Sequence, residues 1–219
     1  QSDSNQSMTY PQRIIHSPGR NIGFRQKVSK WLHKRLKSNP TSSEESSKMS
    51  KETHSQDLAS NIESWINERL SVRSEVFNGL PPCPYAKSAW LDGKVKTHFL
   101  DNTHEIKRWI RAEIENYTYH WPKGCEVVVL GFDPLRILPS ELSKILDDSE
   151  DMLSKRGYTA LEDHPFEREE VQGVWLNNGE YALVLLQPTE KLTEARAWLE
   201  TKDYYKNWDA DYKESVQGR

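Results

Sequence analysis

Apolar positions in this chain fall into a few periodic blocks separated by polar stretches. Leu58, Ile62, Trp65, Ile66 and Leu70 share one face of a helix. VKTHFL (95–100) alternates as a half-exposed strand, with Val95, Thr97 and Phe99 on one side. Asp101, Asn102 or Thr103 can cap a second long helix whose inward residues are Ile106, Trp109, Ile110, Ile114 and Tyr117. CEVVVLGF (125–132) is a continuous apolar run, the mark of a strand covered on both faces. Pro139 or Ser140 opens a helix that turns Leu142, Ile145, Leu146, Met152 and Leu153 inward, and Gly157 stands where a helix ends in a left-handed residue. VQGVWL-NNG-EYALVLLQ (171–187) predicts a hairpin turning at Asn178-Gly179, a pair suited to a type I′ turn. Thr189 then caps a last helix through Leu192, Ala195, Trp198 and Leu199.

These blocks predict an α/β or α+β domain of topology α-βαβ-α-ββ-α, with helices packed on a mixed four-stranded sheet. Two strands that enclose a helix should be parallel, with a right-handed crossover. Residues 126–131 and 181–186 are apolar on both faces and belong in the middle, whereas 95–100 and 171–177 alternate and belong at the edges. With strands numbered along the chain, the expected order is 1-2-4-3. A thioredoxin-like order would place the first and third strands in the middle instead.

The first 56 residues read differently. Residues 1–40 carry eight Lys/Arg and one acid, so a basic segment precedes an acidic remainder in a 219-residue chain of net charge −3. Mean hydropathy is −0.85, too polar for a chain folded end to end. SNPTSSEESSKMSKETHSQ (38–56) has no aromatic or branched apolar residue, which predicts a disordered basic and Ser-rich tail over 1–56, a globular domain over 57–205 and a frayed end over 206–219. Within the tail, Val28, Trp31, Leu32 and Leu36 have helical spacing on a basic background, so contact with nucleic acid or a membrane surface is one reading and a transient solvated helix the other. Met8 and Met49 are alternative starts. No apolar run approaches a membrane span, the polar QSDSNQS start has no signal-like apolar region, and two cysteines make no disulfide framework, so a cytoplasmic location is expected.

One segment carries candidate chemistry: GLPPCPYAKSAW (79–90). If Pro84 takes the first helical position, Cys83 lies at the N-cap. Its thiol would then face unpaired backbone N–H groups, which lower a thiol pKa. Lys87, one turn on, and His164 in the Asp163-His164-Pro165 stretch would complete a catalytic set around Cys83. CPY is shared with the CPYC of glutaredoxins, but Ala86 stands where the second cysteine would be, which excludes dithiol chemistry. The opposite reading makes Cys83 a small apolar residue in a tight corner and Tyr85, Pro82 and Trp90 parts of a binding surface. Cys125 starts a covered strand and reads as core.

The run WINERL…NGLPPCPYAKSAWLDGKVKTHFL resembles the bacterial domain of unknown function 1415 family, through Trp65, Gly79, Leu80, Cys83, Pro84, Tyr85, Ala86 and Lys87, with DHPFE (163–167) similar to that family's His-Pro segment. The likeness spans roughly residues 60–199. Pro81-Pro82 replace the family's usual Asn-Leu, and the region after the His-Pro is shorter. The resemblance implies a compact domain with a shared site and no particular reaction. The seven histidines have no metal spacing, and no phosphate-loop, dinucleotide, serine-elbow or zinc-protease motif is present, so no cofactor and no metal are expected. Two functions stay open: a binding or accessory module for an unknown protein or small molecule, and a thiol-dependent enzyme or redox protein using Cys83.

Overall fold

The computed structural model describes residues 44–101, 105–167, 169–210 and 213, all within one unit of the chain, residues 39–219. The basic segment 27–37, Met8 and the residues after 213 lie outside the described residues. Helix α1 spans Glu44–Trp65 and continues into one π turn, Ile66–Leu70. It begins well before the expected start near residue 57, through residues that have no apolar face; its buried anchors begin at Leu58. A short 3-10 turn (Glu75–Phe77) and helix α2 (Ala86–Leu91) follow, then β1 (Val95–Phe99), α3 (Ile106–Tyr119), β2 (Val127–Phe132), α4 (Pro139–Lys155), β3 (Tyr158–Asp163), β4 (Glu170–Val171), β5 (Val174–Trp175), β6 (Ala182–Pro188) and α5 (Thr189–Glu200).

Four strands form one mixed sheet in the order β1-β2-β6-β3. β1 and β2 are parallel, and β6 runs antiparallel to both β2 and β3. The two doubly apolar runs therefore occupy the centre, as their composition requires. Side chains alternate across the sheet. Val128, Leu130, Phe132, Ala182, Val184 and Leu186 meet α3 and α4 through Ile110, Ile114, Leu142 and Ile145. Val129, Leu183 and Phe99 meet α1 through Leu58, Ile62, Trp65 and Ile66. Gly131 lies on that second face, where a Cβ would fall 2.5 Å from Leu58 Cδ1, so α1 approaches the sheet closely only because this residue has no side chain.

The second edge differs from expectation. It is Tyr158–Asp163 rather than residues 171–177, and the predicted hairpin across Asn178-Gly179 does not form. Residues 170–175 form a separate two-stranded ribbon that turns at Gln172 (φ 46°) and Gly173 (φ 86°), the pair of positive φ angles that a two-residue hairpin needs. Asn178 is buried and uses its side chain to fold the loop that follows. Its Oδ1 accepts from the amides of Glu180 (3.0 Å) and Tyr181 (2.9 Å), and its Nδ2 donates to the Tyr181 carbonyl (2.9 Å).

A third cluster lies apart from the sheet. Phe77, Val171, Leu199, Tyr204 and Tyr205 are buried together, with Leu80, Val174, Leu176 and Trp208 against them. Residues 206–208 are accordingly tied down rather than frayed: Trp208 packs edge-on to Phe77, and Asn207 Nδ2 donates to the Glu75 carbonyl (2.9 Å). Among the described residues no helix is long and apolar enough to cross a membrane.

Candidate functional site

The Pro-rich corner is held from both sides. The Cys83 amide donates to the Leu70 carbonyl at the end of the π turn (2.9 Å), and the Tyr204 hydroxyl donates to the Pro82 carbonyl (2.5 Å). Helix α2 starts at Ala86 with Tyr85 as its N-cap, so Pro84 sits in the preceding turn and Cys83 two residues ahead of the cap. This corrects the expectation of a thiol at the helix start with a lowered pKa. Burial pushes the Cys83 thiol above its ordinary value, and the Ala86 and Tyr85 amides only partly offset that. Residue Cys83 as a whole retains some surface, but its titration is governed by the burial of the thiol. Lys87 is exposed on α2 and contributes nothing to it.

His164 is engaged by backbone groups. It is almost wholly buried beyond the end of β3; its Nδ1 accepts from the Phe166 amide (3.2 Å), which leaves the proton on Nε2, donated to the Ile137 carbonyl (3.1 Å). Both ring nitrogens are spent on backbone groups, and burial lowers its pKa to about 4, so the ring stays neutral and fixes the 164–166 turn. Of the expected catalytic set, Cys83 is a buried thiol, Lys87 is exposed on α2, and His164 has both ring nitrogens bonded to backbone groups. The expected binding residues part ways too. Pro82 presents its carbonyl inward to Tyr204, and Trp90 packs partly buried against the α1 face of the sheet. Pro82 and Trp90 are half-buried, while Tyr85 alone of the three is exposed, at 38%.

There Tyr85 meets Trp198, itself 41% exposed on α5, with ring centroids 5.7 Å apart and planes at 69°. The Lys202 ammonium lies 5.5 Å from the Trp198 ring centre. Two surface aromatics from segments far apart in sequence thus form one shelf over the corner. Trp198 was legible only as a core position, because its spacing matches Leu192 and Leu199; α5 turns it outward instead.

A second polar cluster escaped the motif reading. Asp163, at the end of β3, is 3% exposed. Its Oδ2 accepts both N–H groups of Asn178, the amide at 3.1 Å and the side-chain Nδ2. Glu169 and Asp163 also act on one another electrostatically, while the second Asp163 oxygen, Oδ1, is buried without a hydrogen-bond partner. Burial, then the neighbouring carboxylate, raises Glu169 far above the usual range; burial raises Asp163 less, because the Asn178 donors favour its anion. Each carboxyl therefore influences the titration of the other. The only sequence signal was the acid-rich run after Asp163-His164. Among the described residues no group of three or more His, Cys, Asp or Glu side chains could hold a metal. No family model, no curated protein and no solved structure matches this chain.

Proposed function

We propose that this domain is a binding or accessory module that docks an extended, proline-bearing segment of a partner protein on the shelf of Tyr85 and Trp198. The observation that carries this reading is the edge-on contact of those two exposed rings at 5.7 Å above a corner pinned by two hydrogen bonds to Leu70 and Tyr204. Paired surface aromatics suit proline-rich ligands, whose extended helix is preformed and loses little entropy on docking. A pinned corner lowers the cost on the protein's side. The Lys202 ammonium lies over Trp198, Arg196 and Glu200 act on the neighbouring Tyr205, and the chain beyond its first 40 residues is acidic, which argues for an uncharged ligand over a polyanion.

The resemblance to the domain of unknown function 1415 family belongs with this proposal, since its motif residues Gly79–Lys87 make up the corner itself. The thiol-enzyme reading is the weaker one, because burial disfavours the thiolate that such chemistry needs. The test is a titration with a synthetic proline-rich decapeptide, followed by amide chemical shifts. Saturable binding, with shifts centred on Tyr85 and Trp198 and lost in Trp198→Ala without a change in melting temperature, supports the proposal. A peptide that shifts nothing, or binds Trp198→Ala equally well, overturns it.

A further inference from the structure

We propose that the outer edge of β1, with the stripe of α3 beside it, takes an extended acidic peptide of a partner protein as an added antiparallel strand. β1 is an edge strand of the sheet and pairs with β2. The bonds at its two ends show which backbone groups face the ladder. The Val127 amide donates to the Lys94 carbonyl (3.2 Å), and the Leu100 amide donates to the Gly131 carbonyl (2.8 Å). Bonding direction alternates along a strand, so Lys94, Lys96, His98 and Leu100 serve the ladder, and the N–H and C=O groups of Val95, Thr97 and Phe99 point away from it. Among the described residues these outward groups have no hydrogen-bond partner. In an antiparallel addition each of them exchanges a pair of N–H···O bonds with one residue of the incoming chain.

The side chains select the occupant. Val95 and Phe99 turn toward α1, whereas Lys96 and His98 turn toward α3. Lys94 is committed to Glu126 (3.0 Å) and Asp92 (3.5 Å). Lys96 is exposed, has no ion-pair partner among the described residues and lies 5.6 Å from the centre of the Tyr117 ring. His98 Nδ1 is 3.3 Å from the Tyr117 hydroxyl and 3.7 Å from Glu113 Oε2. Trp109, one turn before Glu113 on the same stripe of α3, is 42% exposed. α3 runs against β1, because Tyr117 lies by Lys96 while Ile106 and Ile110 cluster with Leu100, so Trp109 stands beyond His98. An added antiparallel strand sets one residue opposite Lys96, with the two side chains close on one face, and the residue four earlier in the peptide reaches Trp109. The fitting sequence is an apolar residue followed four positions later by Asp or Glu.

A second copy of this chain fits the edge poorly. Antiparallel self-pairing centred on Thr97 would set Lys96 opposite His98 of the copy, with no acid across from it. The opposite edge strand, β3, ends in Glu162-Asp163 and repels an acidic peptide. The site uses none of the shelf's residues, so its test is independent of what Tyr85 and Trp198 bind.

The probe is a blocked heptapeptide, Thr-Leu-Val-Thr-Val-Asp-Thr, titrated into the whole chain and followed by amide chemical shifts and hydrogen exchange. Saturable binding should slow exchange at the Val95, Thr97 and Phe99 amides, leave the ladder-bonded amides of Lys96 and His98 unchanged, and shift the Trp109 indole signal. Lys96→Glu, with its melting temperature unchanged, should weaken the peptide about tenfold, and a peptide with Lys in place of Asp should recover that loss. A peptide that does not bind, slowed exchange at β3 in place of β1, or equal binding by the wild type and Lys96→Glu overturns the proposal. So does slowing of the β1 amides in the peptide-free protein as its concentration is raised, which would mark the edge as a contact between copies.

Discussion

Leu58 of α1 lies in the space that a side chain on Gly131 of β2 would need. A Cβ there would be 2.5 Å from Leu58 Cδ1 and 2.7 Å from Cδ2. Both residues are buried, and Leu58 opens the row of contacts by which α1 covers the sheet. Gly131→Ala should therefore destabilise the domain by about 1–3 kcal/mol, the usual cost of overpacking a filled core. Chemical denaturation measures this. Leu58→Ala combined with Gly131→Ala should recover part of the loss, since the double variant removes the clash, and strictly additive losses would show that the contact is not the cause.

The central strands should tolerate no charge. Val128 and Val184 are fully buried on the face that meets α3 and α4. Val128→Asp or Val184→Asp would bury an unpaired carboxylate and should prevent folding, seen as loss of a cooperative melt. Thr97 on β1 and Leu185 on β6 are only partly buried, so Thr97→Asp and Leu185→Asp should leave a measurable, lowered transition.

How far the sequence disclosed this arrangement depends on what each segment needed from its neighbours. Residues 127–132 and 182–186 declare themselves, because a strand covered on both faces has to be apolar throughout. Tyr158–Asp163 did not, because an edge strand ending in Glu-Asp has neither alternation nor a continuous apolar run, and its pairing is decided by β6. The Asn178-Gly179 pair misled for a physical reason. An asparagine side chain can satisfy a loop's own amides, and here it does so while gripping Asp163, whereas the real two-residue turn is Gln172-Gly173. At the candidate site, the proline-cysteine motif falls in a corner tied to Leu70 and Tyr204 by hydrogen bonds. Its thiol was misjudged because burial, which the sequence does not display, outweighs what the Ala86 and Tyr85 amides give the thiolate, and the shelf stayed hidden because Tyr85 and Trp198 meet only in the folded chain.

His164 supplies a pH test with a definite sign. Its folded pKa is lowered to about 4 from an ordinary value of 6.5, so the folded state prefers the neutral ring. That preference stabilises the fold fully above pH 6.5 and is lost as the pH falls toward 4, by about 3 kcal/mol in all. The Asp163–Glu169 pair has the opposite sign: its pKa values are raised, so its contribution is greatest in acid and declines as the pH rises. The two are separated by His164→Gln. Urea denaturation should show the wild type losing stability relative to this variant between pH 6.5 and 4, and an unchanged difference across that range would mean that the ring is not held neutral.

Tyr204 decides how often Cys83 becomes reactive. Its hydroxyl pins the Pro82 carbonyl next to Cys83, and its ring stacks on Phe77 with centroids 5.3 Å apart, so the aromatic cluster and the corner open together. Burial raises the pKa of Cys83 and also that of Cys125, whose sulfur lies within hydrogen-bond reach of the Lys94 and Val127 carbonyls. Neither thiol should react quickly at neutral pH in the native protein, and both should react freely once the chain is unfolded. Native alkylation of Cys83 then proceeds through local opening of the corner. Tyr204→Phe keeps the ring packing and removes one hydrogen bond of about 1 kcal/mol, which should speed iodoacetamide labelling of Cys83 about fivefold and leave Cys125 unchanged. Mass spectrometry of each cysteine peptide reads the two rates separately. A Cys83 that labels fast in the wild type at pH 7, faster than a free thiol, would restore the thiol-enzyme reading. A Tyr204→Phe rate equal to that of the wild type would show that the corner is held by the Leu70 contact alone.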